Sequence, residues 1–309
     1  MGTSTKPRFS GVIAPLVTPF GDDGAPDPER FVTHADWLLN NGCNALAPFG
    51  TTSEANSLGL DERMELLEEL VDSDVDPGKL LPGTGMCSVA DAIALTQHAV
   101  DLECGGCLML PPFYYKAPSE EGLFRYFAEV IESVADDRLK VYLYHIPPIA
   151  QVGFSLSLIG RLKQEFPDTV VGLKDSSGDW ANTKSILDAY PDLEIFPGSE
   201  AFLLDGLRAG AAGTISASAN VNATALRDVY DNWKNPAADD YQAKITAVRK
   251  VFQSQPMIPL MKAIIAHYRH DPAWARPRPP LVELDQSVAA AAIATLEREH
   301  GFRMDFRES

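Results

Sequence analysis

A lysine follows four residues of buried-strand character in Val170-Val171-Gly172-Leu173-Lys174, and a turn cluster of Ser, Gly and Asp comes after it. Three of the first four residues are apolar and two are β-branched, which describes a short buried strand opening into a loop. A lysine at that end sends its amine either to water or into a pocket lined by neighbouring strand ends. A pocket disfavours the ammonium form, and a neutral amine attacks a carbonyl to give a Schiff base. The structural alternative is a lysine that snorkels or pairs with Asp175. Other strand ends offer partners for the first chemistry. Gly50-Thr51-Thr52-Ser53-Glu54 presents adjacent hydroxyls beside backbone N–H groups, which suit a carboxylate, or alternatively a turn with a helix cap. Tyr114 and Tyr115 follow one strand, and Tyr144 ends another. Linked tyrosine hydroxyls can move protons to and from a carbinolamine, although a single tyrosine is more often packing. Gly198-Ser199-Glu200 and Ile215 close the set.

These residues need an element pattern that brings them together. Short apolar runs alternate with helical segments: strands at 12–20, 44–49, 80–84, 107–110, 139–144, 170–174, 193–197 and 212–217, with helices between them. Asp27, Asp61, Ser119 and Ser155 are candidate helix caps, and Pro28 suits a first helical position. Eight such units predict a (β/α)8 barrel over residues 1–225, whose chemistry sits at the C-terminal strand ends. The alternative is an open doubly wound sheet. Gly83-Thr84-Gly85 supplies only part of the nucleotide fingerprint that sheet would want. Residues 226–309 read as a helical segment interrupted by the Arg276–Pro280 loop, with a last helix capped by Asp285 and stopped by Gly301.

Composition narrows the partners. The chain has 309 residues and a net charge of −17, which disfavours nucleic acid and anionic membrane surfaces. No apolar run is long enough to span a bilayer and residues 1–10 carry no signal pattern, so a soluble cytoplasmic protein is expected. Cys104-Gly105-Gly106-Cys107 lacks a second pair for zinc, and buried small hydrophobes are the favoured reading. His267 and His270 lie one turn apart without a third ligand at metal spacing.

Taken together, the chain resembles the dihydrodipicolinate synthase / N-acetylneuraminate lyase family of class I pyruvate aldolases. The resemblance is carried by Pro15–Phe20, the GTTSE stretch, Pro112–Tyr115, Tyr144–Pro147, Gly172–Ser176 and the Pro277–Pro280 loop, in that order. It implies a (β/α)8 barrel with a helical extension, commonly a homotetramer. It implies that Lys174 forms an imine with pyruvate or another 2-oxo acid, that Tyr144 transfers protons, and that Thr51 and Thr52 hold the carboxylate. It implies too that a tyrosine of the fourth strand end, Tyr114 or Tyr115, completes a relay across a subunit interface. The imine is the electron sink, so no metal or organic cofactor is required.

Two departures stand out. Ser53 replaces the family's usual glycine, where its hydroxyl could touch substrate. Ile149 stands where dihydrodipicolinate synthases carry an arginine for the aldehyde's carboxylate, and isoleucine offers no fork. No other arginine is expected at the strand ends, since Arg161 and Arg208 should face outward. The leading expectation is a lyase that cleaves or forms a 2-oxo acid from pyruvate and an aldehyde. That aldehyde is uncharged and hydroxylated, in keeping with a sugar-acid origin, or apolar. Ser199 and Glu200 accept from its hydroxyls, and Phe49, Phe113 and Ile149 serve an apolar body. The alternatives are a 4-hydroxy-tetrahydrodipicolinate synthase, which condenses pyruvate with aspartate semialdehyde, and a non-catalytic 2-oxo acid binding protein.

Overall fold

Seven short strands pair in parallel. They are β1 (Gly11–Ala14), β2 (Ala45–Leu46), β3 (Cys107–Met109), β4 (Val141–His145), β5 (Val170–Asp175), β6 (Glu194–Pro197) and β7 (Gly213–Ile215). This computed structural model describes residues 8–306. One ladder runs β2-β1-β7 and another β3-β4-β5-β6. Residues 80–84 supply the eighth stave and join β2 to β3. The Leu81 N–H donates to Leu46 at 2.8 Å, and the Leu108 N–H donates to Pro82 at 2.9 Å. The other seam closes through the Ala212 N–H and the Ile195 carbonyl at 3.0 Å. The result is the expected eight-staved barrel.

The first three runs give shorter ladders than their apolar content predicts, because proline has no N–H to donate to a ladder. Pro15 and Pro19 end the first run at Ala14. Pro48 ends the second, and Phe49 then turns left-handed at φ 61°. Pro82 reduces the third to isolated bridges. The interior is filled by Ile13, Ala45, Ala47, Leu81, Leu108, Tyr142, Tyr144, Phe196 and Ile215. Gly172 admits the Tyr142 ring, since a Cβ there would lie 2.3 Å from it.

The outer helices are α1 (Pro28–Asn40), α2 (Leu60–Asp72), α3 (Val89–Asp101), α4 (Glu120–Val134), α5 (Pro147–Ala150), α6 (Leu156–Glu165), α7 (Trp180–Ala189) and α8 (Leu203–Arg208). Asp27, Ser119 and Ser155 accept from first-turn N–H groups as expected. Asp61 does not. Gly59 is the cap of α2, and Glu62 reaches back to its N–H at 2.8 Å. The single-turn helix α5 has no periodic signal and was not foreseen.

α9 (Ala219–Asn232) runs across position 225 with a kink at Asn222, followed by α10 (Ala238–Gln253), α11 (Met257–Arg269) and α12 (Gln286–His300). Phe252, Leu260, Ile264, Trp274 and Leu296 form a second core that packs on Val17 and Val221 of the barrel. The Asn220 amide ties the two layers, accepting from the Val17 N–H and donating to the Pro15 carbonyl, each at 3.0 Å. Among the described residues no helix is long and apolar enough to cross a membrane.

Candidate active site

Parallel register sets the centre of the site. Tyr144 of β4 lies opposite Lys174 of β5, and alternation along a strand points both side chains to the same face. Both are buried. The Lys174 Nζ lies 4.2 Å from the centroid of the Tyr144 ring, within reach of its negative face. Beyond the ring, the Tyr144 hydroxyl is 3.2 Å from Thr51 Oγ1. The snorkelling alternative for Lys174 is thereby excluded, and so is the pairing with Asp175. The Asp175 carboxylate is occupied by the Ser177 N–H, the Asn182 amide and the Thr183 hydroxyl at 2.9, 3.1 and 2.6 Å. Beside it, burial holds His145 below the usual histidine range, although Asp175 works against that shift. Its Nδ1 accepts from the Phe154 N–H at 2.9 Å.

Thr51 and Thr52 sit in a tight turn after β2. The turn's internal hydrogen bonds use the N–H groups of Ser53, Glu54 and Ala55. No hydrogen bond among the described residues takes the N–H of Thr51 or Thr52. Both face a cavity of about 550 Å³ that also takes in Tyr144, Lys174, Ile149, Gly198, Ser199 and Ile215. Glu54, left-handed at φ 58°, anchors the turn from behind. Its carboxylate accepts from Lys262 Nζ at 2.6 Å and from the Arg278 N–H at 2.7 Å. Burial draws the Lys262 amine down to about 8 against the pull of Glu54.

Several expected contacts are not made. Ser53 is fully buried, and its hydroxyl accepts from the Gly50 N–H at 3.3 Å instead of facing the cavity. Glu200 is also fully buried. Ser218 donates to one of its oxygens, while Ser216 and Arg249 donate to the other. It therefore has no free edge for a sugar hydroxyl. Phe49 stacks on Phe31 in the core, and Phe113 packs against the barrel interior. Neither lines the cavity. Tyr114 and Tyr115 are 73% and 76% exposed, and this chain alone does not bring them to Lys174. Ile149 is 62% exposed at the cavity rim.

The apolar wall comes instead from Ile146, Phe202, Met257, Ile258 and Met261. The last three belong to the helical segment, which also sends in Arg249. Sequence reasoning missed that arginine, although Arg161 and Arg208 do face outward, paired to Glu121 and Asp239. A signal was present: Ile245, Val248, Arg249 and Phe252 share the buried face of α10, which is the i, i+3, i+4, i+7 stripe. Elsewhere Cys107 is buried and Cys104 half-buried. Burial raises both thiols, Cys104 to about 12, as fits small hydrophobes.

A closed barrel that keeps one buried amine among hydroxyls at its C-terminal mouth belongs among the lysine-dependent, carbonyl-handling enzymes. The model of the dihydrodipicolinate synthetase family matches residues 8–299, and the chain belongs to that family. An uncharacterized DapA-like lyase from Chloroflexus aurantiacus is 34% identical over 95% of this chain and 97% of its own. A dihydrodipicolinate synthase from Agrobacterium tumefaciens superposes with a TM-score of 0.87 at 31% identity, covering 94% of this chain and 99% of that one. A prophage protein of the same family from E. coli, solved in complex with pyruvate, gives 0.88 at 26%, covering 96% and 99%. The chain is accordingly a pyruvate-dependent lyase or aldolase.

Proposed function

We propose that Lys174 carries the reaction. Its amine adds to the carbonyl of pyruvate, or of a larger 2-oxo acid, and water leaves to give an iminium. In cleavage, the bonding pair between the third and fourth carbons flows into the iminium to form an enamine. The 4-hydroxyl gives up its proton and departs as an aldehyde. Tyr144 moves that proton, with Thr51 as its hydroxyl partner. The free N–H groups and hydroxyls of Thr51 and Thr52 hold the 2-oxo acid's carboxylate. One observation carries this reading: the buried Lys174 amine sits 4.2 Å from the ring of Tyr144, whose hydroxyl meets Thr51. Borohydride reduction in the presence of pyruvate, followed by peptide mass spectrometry, is expected to mark Lys174. An unmodified Lys174 at saturating pyruvate would remove the central claim that this residue forms the imine.

The synthase from Agrobacterium favours a second reading, condensation with aspartate semialdehyde. Ile149 opposes it, because the resemblance puts the aldehyde-binding arginine of the synthases at that position. We take the function as reversible cleavage or condensation with another aldehyde. Steady-state kinetics with aspartate semialdehyde should give a kcat/KM well under roughly 10⁴ M⁻¹s⁻¹, the low end of ordinary enzymes. A value above that restores the biosynthetic synthase.

A further inference from the structure

Arg249 is a buried cation in the substrate cavity, and only part of its guanidinium is engaged. Nη1 donates to Glu200 Oε2 at 3.0 Å and to Ser216 Oγ at 3.3 Å. Nε is buried without a partner, and no hydrogen bond among the described residues takes Nη2. The arginine is 8% exposed and lines the same cavity as Lys174. In a guanidinium the Nε–H and the neighbouring Nη2–H point the same way, spaced to meet the two oxygens of a carboxylate. Glu200, fixed in turn by Ser216 and Ser218, holds the opposite side and sets the orientation of the plane.

We propose that this free edge receives a carboxylate on the aldehyde half of the substrate, so that Arg249 is a specificity-determining residue. The inference rests on the reading that Lys174 takes pyruvate. Ring order supports the division of labour. β5 lies between β4, which carries Tyr144, and β6, which leads into Ser199 and Glu200. Arg249 therefore meets the cavity on the side of Lys174 away from Tyr144. Nε itself has no surface open to the cavity, so a carboxylate meets this edge once a neighbouring side chain shifts. The two parallel donors then match two coplanar oxygens, where a single hydroxyl would leave one of them unsatisfied, and unsatisfied buried donors are costly. Apolar residues of the cavity wall, Phe202, Ile215 and Ile258 among them, lower the local dielectric and strengthen the contact. Glu200 balances the charge of Arg249 on the other edge, so the arginine can be buried before substrate arrives. Aspartate semialdehyde fits this edge poorly, because the ammonium beside its carboxylate would approach the guanidinium.

The test pairs ω-oxo acids of four to six carbons with their methyl esters as acceptors for pyruvate. Each pair has nearly the same shape and differs by one charge. The wild type is expected to favour the acid in at least one pair by about 10- to 100-fold in kcat/KM, the weight of a charge-assisted contact, chiefly through the aldehyde's KM. Arg249→Lys keeps a cation beside Glu200 but loses the fork, and Arg249→Met with Glu200→Gln removes both charges. Both should bring the acid-to-ester ratio toward one. Equal use of acid and ester by the wild type in every pair, or a ratio that survives both substitutions, overturns the proposal. If the double variant does not fold, the wild-type ratio and Arg249→Lys decide. Borohydride trapping on the wild type separates the two readings. Trapped pyruvate without acid preference sinks this inference alone, whereas no trapping at Lys174 sinks both.

Discussion

Tyr144 meets Lys174 with its ring and Thr51 with its hydroxyl, so the two contributions can be separated. Tyr144→Phe keeps the ring in the barrel interior and removes only the hydroxyl that we propose moves the proton. Turnover is expected to fall by about 10²–10⁴, the usual range for acid–base catalysis, with the thermal unfolding midpoint little changed. Near-normal turnover would reassign Tyr144 to packing. Ile149 gives the opposite kind of test. It is exposed at the rim on α5, so an arginine there needs no new burial. Ile149→Arg is expected to raise kcat/KM for aspartate semialdehyde about tenfold or more, given the worth of a charge-assisted hydrogen bond. An unchanged or lower value in steady-state assays would show that position 149 does not set acceptor choice. Lys174 and Tyr144 were legible in the sequence because each lies at the C-terminal end of a strand, and Thr51 because it lies in the turn that follows one; these ends share one mouth. Glu200 was misread for a related reason. A carboxylate one residue past Ser199 looks free in one dimension, whereas its partner Arg249 is 49 residues away.

At the scale of elements, the turn proposed to hold the carboxylate depends on α11. Glu54 follows Ser53 in a left-handed conformation that a bulky residue adopts only under constraint, and Lys262 supplies that constraint from a fully buried position. Lys262→Met strands the Glu54 carboxylate. Removing one partner of a buried pair typically costs about 3–5 kcal/mol, so chemical denaturation should show a loss of that order, with a higher KM for pyruvate as the turn loosens. Glu54→Gln added to Lys262→Met should recover part of the stability, since no unpaired charge then remains. A single Lys262→Met variant with wild-type stability and KM would make the tie incidental. The helices were legible through their caps and apolar stripes. The strands were legible as locations but not as lengths. Apolar content continues through Pro15, Pro48 and Pro82, while the ladder, which needs N–H donors, does not.

At the scale of the whole molecule, the proposed proton relay calls for a second tyrosine beyond Tyr144. Tyr114 and Tyr115 stand exposed after β3 as an edge-to-face pair, with ring centroids 5.5 Å apart. Their loop is nonetheless tied to the cavity rim, because Lys116 Nζ donates to the Phe113 carbonyl at 2.5 Å and to the Ala150 carbonyl at 3.1 Å. Two large aromatic side chains in water beside an active-site mouth have a simple use if a second copy of the chain covers them. One chain cannot reveal that from its sequence, since periodicity reports only what is buried within it. The proposed homo-oligomer can be tested by mixing two inactive proteins. Lys174→Ala chains keep the tyrosines and lack the amine, while Tyr114→Phe/Tyr115→Phe chains keep the amine and lack the hydroxyls. Each alone should lose about 10² or more in turnover. Unfolded together and refolded, they form mixed oligomers. If each tyrosine serves its neighbour's site across a two-fold interface, roughly one site in four regains a complete set in an equal mixture of dimers. Repeating the mixture with Tyr114→Phe and Tyr115→Phe singly identifies the residue that acts. No recovery when native mass spectrometry shows the mixed species, or full activity in the tyrosine double variant by itself, would mean that proton transfer is completed within one chain.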